Sequence, residues 1–344
     1  MQTLLPTVTP TLRFAPCADG ATRLGLGGAP LGNLFAPVPD AEASALLDAA
    51  WTSGCRSFDT APHYGHGLSE RRIGDALRAH PRDSITLSSK VGRLLTPDAG
   101  APREQHGYVD GLPFRQHWDY SAAGMRRSVE DSLQRLGLAR LDAAFVHDCD
   151  AATHGANADA VRRQVIDEAL PALRTLQREG LVGAVGLGVN DVRIVLDVLR
   201  EAELDVLLLA GRYSLLDHGA LPELLPLCVA RDVRVALGGA FNSGLLATGT
   251  RGTQVARFNY APATREWIER TARIEAIGDA HGVPLRAAAL QFPLAHPAID
   301  IVMVGARSAA EWQDALAMVR HPVPAAYWRD LRVAGLLPEG APTP

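Results

Sequence analysis

Four polar residues in the first half of the chain have side chains suited to proton transfer that accompanies oxidation or reduction. Asp59, Lys90 and His147 each end a short apolar segment, and Tyr64 lies five residues after Asp59. If these segments are consecutive strands of a parallel barrel, their carboxyl ends share one face and the side chains meet in one cavity. Each of the four would more often be structural if it stood alone, but together they predict a catalytic centre.

The chemistry of such a set depends on the tyrosine. A phenol with an ordinary pKa of about 10 is a poor acid or base at pH 7, and a nearby ammonium lowers that pKa by favouring the phenolate. Asp59 could hold the Lys90 ammonium in place, and His147 could donate a hydrogen bond to the reacting oxygen. The chain has 34 Lys and Arg residues together, and Lys90 is its one lysine.

The elements that would position these residues alternate along the chain. Short apolar segments predict strands at 24–28, 56–59, 84–90, 141–147, 181–187, 204–209, 233–237 and 299–304. Segments of helical periodicity lie between them, at 40–53, 69–80, 121–136, 161–179, 191–203, 218–231, 264–281 and 309–320. This alternation predicts a parallel sheet with right-handed crossovers. We interpret it as a single-domain (β/α)8 TIM barrel, because the first strand lacks the Gly-x-Gly-x-x-Gly turn of an open doubly wound sheet.

Long connections follow two of the predicted strands, at 91–120 and 238–262. Connections of more than about 15 residues are commonly functional, and both lie on the face where barrels carry their active sites. A hairpin over 11–23 is expected to close the opposite end. The ends of the chain, 1–10 and 336–344, are expected to be flexible.

The composition excludes several classes of protein. With 344 residues, 47% of them hydrophobic, the chain can bury a large core, and a net charge of −4 argues against nucleic-acid binding by bulk charge. No apolar run approaches the ~20 residues of a membrane span, and no signal peptide is recognisable. The cysteines are scattered, which predicts neither a disulfide framework nor a metal site. We expect a cytoplasmic monomer or homodimer with no metal, no nucleic-acid partner and no membrane partner.

Several motifs resemble those of the aldo-keto reductase family. The segment 58–65 with Ser69-Glu70 resembles its first signature, 125–147 its second, 173–190 its third, and 301–308 its nucleotide loop. The resemblance implies a barrel that binds NAD(P) without a Rossmann domain. It also implies that Tyr64 is the acid/base, that Lys90 modulates its pKa, that Asp59 is the partner of Lys90, and that His147 orients the substrate.

Within that family the chain resembles bacterial L-fucose and D-threo-aldose 1-dehydrogenases. The resemblance implies oxidation of the C1 hydroxyl of an aldose of the L-fucose, D-arabinose or L-galactose type, with Tyr64 taking the hydroxyl proton and a lactone as product. Pyridoxal 4-dehydrogenase and general aldehyde or ketone reductases remain alternatives. A nucleotide-binding regulatory subunit is an alternative of another class, which the complete set of four residues argues against.

The same resemblance implies residues that bind the cofactor and the substrate. Asn190 would bind the nicotinamide carboxamide, and Tyr213 or Phe241 would stack on the ring, because Gly238 or Gly239 stands where many members have an aromatic residue. The segment Phe241, Asn242, Ser243 and Gly244 would hold the pyrophosphate. Gly305, Arg307 and Glu311 would lie at the adenosine end, where the glutamate favours NAD over NADP. Tyr108, His117 and Trp118 in the long connection would contact the sugar.

Overall fold

A computed structural model describes residues 12–20, 22–252 and 255–344 of the chain. Within these residues eight parallel strands close into a barrel in which consecutive strands are neighbours. They are named β1 to β8 in chain order: Leu24–Gly27, Ser57–Asp59, Thr86–Val91, Leu141–His147, Val182–Val189, Val206–Ala210, Arg234–Gly238 and Ile299–Gly305. The predicted (β/α)8 barrel is confirmed, and each strand lies within two residues of its predicted bounds.

The strand registers explain how the candidate residues reach the inside of the barrel. Side chains of a strand alternate between its two faces, and Ala143 and Phe145 of β4 both belong to the apolar cluster that fills the barrel interior. His147 is the next residue in that series, so it also points inward at the carboxyl end of β4. Lys90 of β3 pairs with Phe145, and Asp59 of β2 pairs with Ser88 of β3.

Helices surround the barrel and bury its outer face in a large hydrophobic core. Those that correspond to the sequence prediction are Asp40–Thr52, Leu68–Leu77, Ala122–Leu136, Ala158–Gln164 with Leu170–Arg178, Val192–Glu201, Leu224–Ala230, Arg265–His281 and Ala309–Val319. A π-helical turn, Val165–Ala169, joins the two parts of the fourth. Further short helices are Ala151–His154 and Leu245–Thr248.

Two helices were missed because prolines flank or interrupt them. Leu285–Leu294 follows Pro284 and contains Pro293, and Ala325–Val333 follows Pro324. Proline fits the first turn of a helix, but inside a helix it normally breaks or kinks it. These prolines therefore argued against helices in the two segments. No helix among the described residues is both long enough and apolar enough to cross a membrane.

The two long connections contain hairpins that the sequence did not predict. In the first, the strand Arg93–Pro97 pairs antiparallel with Phe114–Trp118; in the second, Arg257–Phe258 pairs with Ala261–Pro262. We call these the β3 hairpin and the β7 hairpin, after the barrel strands that they follow. Both lie beyond the carboxyl ends of the barrel strands, on the predicted active face.

The two ends of the chain differ from expectation. The described part of the predicted hairpin 11–23 contains no strand; it is a turn closed by a bond from Cys17 N to Thr22 O of 2.7 Å. The tail 336–344 is packed rather than frayed: Leu336, Leu337 and Ala341 are buried, and Arg332 donates to the Ala341 carbonyl at 2.9 Å. Residues 1–10 lie outside the described residues.

Phe14 closes the bottom of the barrel. Its backbone N–H donates to Asp300 Oδ2 at 2.8 Å, near the amino end of β8, and its side chain is 3% exposed and belongs to the apolar cluster of the barrel interior. We expect Phe14→Ala to lower the free energy of unfolding by about 3 kcal/mol, because it leaves a cavity in the barrel interior. Urea unfolding followed by circular dichroism measures this.

The matched control is Val333→Ala, because Val333 is 83% exposed and its truncation should change the unfolding midpoint little. A Phe14→Ala protein as stable as that control would show that the Phe14 side chain does not stabilise the barrel.

Candidate active site

Asp59 and Lys90 form a buried ion pair at the mouth of the barrel. Lys90 Nζ donates to Asp59 Oδ2 at 2.7 Å and to the Thr60 carbonyl at 2.9 Å, and the two charged side chains are only 2% and 5% exposed. Ser88 Oγ donates to the other carboxylate oxygen, Asp59 Oδ1, at 2.8 Å. Burial raises the pKa of Asp59 above its usual value, and the Lys90 ammonium partly offsets that rise.

Tyr64 lies beside this pair. Its ring centre is 4.6 Å from Lys90 Nζ, and the loop that carries it packs against Gly32 so closely that a Cβ on Gly32 would lie 2.4 Å from the Tyr64 carbonyl carbon. The Tyr64 and His147 ring centres are 6.3 Å apart, with the rings nearly perpendicular. The structure thus brings all four predicted catalytic residues together.

The electrostatics of Tyr64 differ from the sequence prediction. Burial raises the pKa of its phenol well above the usual value, the nearby Asp59 carboxylate raises it further, and Arg93 lowers it. The expected lowering of this pKa is therefore wrong, because burial away from water disfavours the charged phenolate. Tyr64 holds its proton at neutral pH.

His147 is neutral in this environment. Burial, and then the positive charges of Arg93 and Lys90, hold the pKa of its imidazole well below the usual value. Nε2 lies 3.4 Å from Asp148 Oδ2, and Nδ1 is buried without a hydrogen-bond partner among the described residues. A neutral imidazole carries one N–H, so it can donate one hydrogen bond to a substrate oxygen.

A network of polar residues that the sequence reasoning missed surrounds His147. Arg93, in the β3 hairpin, forms an ion pair with Asp148. The same guanidinium lies 3.1 Å from His63 Nδ1 and donates to Gln116 Oε1 at 3.3 Å. Asp148 has a φ of +42°, a conformation that costs energy outside glycine and concentrates at functional sites. Its position directly after His147 was the available signal.

The three predicted substrate contacts lie in different environments. Tyr108 is buried and stacks on Tyr64, with 5.9 Å between ring centres. Trp118 is partly exposed and lies under the Arg93 guanidinium, 4.1 Å from its ring centre. His117 is exposed on the opposite face of the same strand, where its Nδ1 lies 3.2 Å from Thr96 Oγ1. The alternation of side chains turns His117 away from the site and Gln116 towards it.

A cavity of about 740 Å³ opens from Tyr64 along the barrel mouth. Its lining contains all the residues predicted to bind the pyrophosphate and the adenosine, namely Phe241, Asn242, Ser243, Gly244, Gly305, Arg307 and Glu311. This volume falls in the range of ligand and cofactor sites.

The backbone that lines the cavity at Asn242–Gly244 forms a tight turn. The three residues have φ values of +45°, +57° and +104°, and the N–H groups of Asn242 and Gly244 close the turn by donating to the Gly239 and Phe241 carbonyls at 2.8 and 3.0 Å. A Cβ on Gly244 would meet no atom within 4 Å, so the main chain is open to a ligand there. These features fit a dinucleotide, with Tyr64 near one end and Glu311 near the other.

Two of the predicted nicotinamide contacts are placed differently from expectation. Tyr213 is 0% exposed and packs against Phe292 with 5.0 Å between ring centres, so it is a core residue and cannot stack on a ligand in the cavity. Asn190 is not among the residues that line the cavity, and its side chain lies near the Tyr260 phenol, whose pKa it lowers. Tyr260, in the β7 hairpin, does line the cavity, and no pattern in the sequence indicated it.

The end of the cavity that is predicted to hold the adenosine contains two ion pairs. Arg307 donates to Glu311 Oε1 at 2.7 Å, and its backbone N–H donates to Glu311 Oε2 at 2.8 Å. Arg286 and Asp314 pair at 2.8 Å and also line the cavity. Among the residues that the structure describes, no group of three or more His, Cys, Asp or Glu side chains is arranged to hold a metal ion.

Comparison with known proteins agrees with this geometry. The model of the aldo/keto reductase family matches residues 23–334. The chain is 44% identical to pyridoxal 4-dehydrogenase of Microbacterium luteolum and 39% identical to D-threo-aldose 1-dehydrogenase of a Pseudomonas species; each match covers 92% of this chain and 94% of the relative. An aldo-keto reductase from Bacillus halodurans in its holo form has the same fold, with a TM-score of 0.71 at 23% identity over 96% of this chain and 97% of that one. The chain therefore belongs to the aldo/keto reductase family.

Proposed function

We propose that the protein is an NAD(P)-dependent dehydrogenase that oxidises the C1 hydroxyl of an aldose to a lactone. The observation that carries this proposal is the position of Tyr64, which lines a dinucleotide-sized cavity and lies 4.6 Å from the ammonium of the buried Lys90–Asp59 pair. The similarity to D-threo-aldose 1-dehydrogenase supports the choice of an aldose.

Each catalytic residue then has a defined task. In the oxidative direction the Tyr64 phenolate accepts the proton of the C1 hydroxyl as the C–O bond gains double-bond character, and in the reductive direction the Tyr64 phenol returns that proton. Lys90, held by Asp59, stabilises the negative charge that Tyr64 carries after it loses its proton. His147 donates a hydrogen bond to the reacting oxygen and so orients it. The nicotinamide dinucleotide supplies the hydride acceptor.

A second candidate substrate is pyridoxal, favoured by the identity of 44% to pyridoxal 4-dehydrogenase. Pyridoxal closes an internal hemiacetal between its aldehyde and the adjacent hydroxymethyl group, so its oxidation also converts a cyclic hemiacetal into a lactone. The reacting unit is the same as in a cyclic aldose. The aromatic side chains of Trp118 and Tyr108 next to the site are compatible with either ring.

The direct test is a substrate panel of L-fucose, D-arabinose, L-galactose and pyridoxal with NAD or NADP, followed at 340 nm. We expect at least one substrate to be oxidised, and Tyr64→Phe to reduce kcat by about 10²- to 10⁴-fold, because the proton acceptor is lost. The control Tyr327→Phe removes a phenol in the core and should keep full activity. Cofactor binding without oxidation of any substrate would instead favour a nucleotide-binding subunit.

The oxidative rate should rise with pH. Since burial raises the pKa of Tyr64 well above its usual value, the fraction able to accept a proton increases throughout pH 6–10. His147 stays neutral over this range, because its pKa is held well below the usual value. The measurement is kcat against pH with a C1-deuterated substrate, to confirm that hydride transfer limits the rate. A flat profile under that condition would exclude Tyr64 as the base.

We infer that NAD is preferred over NADP. Glu311 places a carboxylate at the adenosine end and occupies the guanidinium of Arg307, so a ribose 2′-phosphate would meet a negative charge without a free cation. The ribose hydroxyl of NAD can instead donate a hydrogen bond to that carboxylate.

Glu311→Gln should therefore raise kcat/KM for NADP relative to NAD by roughly tenfold, because it removes the repulsion and frees Arg307. The matched control is Glu269→Gln, which breaks an Arg–Glu pair of the same i,i+4 spacing on an exposed helix. Steady-state kinetics with both cofactors measures the ratio, and an unchanged ratio in Glu311→Gln would refute the assignment.

A further inference from the structure

The charges that line the cavity are balanced with one exception. Arg286 pairs with Asp314, Arg307 with Glu311 and Asp59 with Lys90. The lining also contains Arg257, whose guanidinium makes no ion pair and no hydrogen bond with any described residue. The cavity therefore carries one uncompensated positive charge.

Arg257 lies beside the backbone turn that lines the cavity. It lies in the β7 hairpin, where the strand Arg257–Phe258 packs against the left-handed segment Asn242–Gly244. Tyr260 N, in the same hairpin, donates to Ser243 Oγ at 2.9 Å. Phe258 is buried and stacks on Trp267 at 4.1 Å between ring centres, which anchors the strand that carries Arg257.

A second contact holds the guanidinium from the other side. The Arg257 guanidinium carbon lies 4.9 Å from the centre of the Phe35 ring, within the range of a cation–π interaction. Phe35 lies in the loop after β1 and is 41% exposed, and its backbone N–H donates to the Gly107 carbonyl at 2.8 Å. Arg257 and Phe35 thus meet from loops that follow different strands, and both line the cavity.

A dinucleotide brings two negative charges to the middle of this cavity, in its pyrophosphate. The backbone at Asn242–Gly244 does not balance that charge, because an N–H group carries no net charge and those of Asn242 and Gly244 already donate to the Gly239 and Phe241 carbonyls at 2.8 and 3.0 Å. A planar guanidinium adds that charge and can donate two parallel hydrogen bonds to phosphate oxygens. The contact with Phe35 is made with the ring face, and no described residue accepts a hydrogen bond from the guanidinium, so its N–H groups are available to a ligand.

We propose that Arg257 is the counter-charge for the pyrophosphate of the bound dinucleotide, and that Phe35 holds its guanidinium in position. This inference rests on the proposed NAD(P) binding and goes beyond it, because it assigns the phosphate affinity to one side chain outside the barrel strands.

The test compares ADP-ribose, which contains the pyrophosphate, with adenosine, which does not, by isothermal titration calorimetry. Arg257→Gln should weaken ADP-ribose binding roughly tenfold to hundredfold, because it loses a charge-assisted pair, and should leave adenosine binding within twofold of wild type. Arg257→Lys keeps the positive charge but loses the planar guanidinium. Its affinity for ADP-ribose should therefore lie between that of the wild type and that of Arg257→Gln. Added salt should weaken ADP-ribose binding more in the wild type than in Arg257→Gln.

The matched control is Arg265→Gln, since the Arg265 side chain is 91% exposed on the following helix; it should bind ADP-ribose as the wild type does. Arg257→Gln binding ADP-ribose within twofold of wild type would overturn the assignment, and so would an equal loss of adenosine binding. A wild type that binds no ADP-ribose overturns both this assignment and the proposed function. A wild type that binds ADP-ribose but oxidises no substrate leaves the Arg257 assignment standing and removes only the proposed reaction.

Discussion

The site depends on the burial of one ion pair, Lys90 with Asp59. Moving an ammonium and a carboxylate out of water costs several kcal/mol for each ion, and only close pairing with further hydrogen bonds offsets that cost. The Thr60 carbonyl and the Ser88 hydroxyl supply those bonds. Because β2 and β3 are adjacent and in fixed register, the pair forms in one geometry, and that geometry places positive charge against the Tyr64 ring.

The same burial determines how Tyr64 and His147 behave. A site dry enough to hold a strong ion pair also disfavours a phenolate and an imidazolium, so the pKa of Tyr64 rises and that of His147 falls. Both groups are therefore neutral at pH 7. The Tyr64 phenol is a proton donor in this state, and it becomes a proton acceptor only as the pH rises and the phenolate forms.

The sequence was sufficient to predict the barrel and the polar residues that meet at its mouth, because the ends of the strands follow from periodicity. Asp59, Lys90 and His147 end strands whose apolar character and turn signals are local properties of the chain. The neighbouring residues that shift the pKa values of Tyr64 and His147 were not predictable in this way. Arg93 reaches Asp148 through the β3 hairpin, and Tyr213 turned out to be core rather than cofactor contact; both outcomes depend on how distant segments pack. The sign of the Tyr64 pKa shift likewise depends on burial depth, which periodicity does not measure.

The sidedness of the β3 hairpin has a practical consequence for changing the substrate range. Gln116 contacts the polar network beside His147, whereas His117 faces outward, so alternate positions of one strand are functionally unequal. A mutant library confined to the inward positions, Gln116 and Trp118, samples the wall of the site while it leaves the outward residues that support the hairpin fold intact. Randomising the whole segment would also vary outward positions such as His117, which lie away from the polar network beside His147.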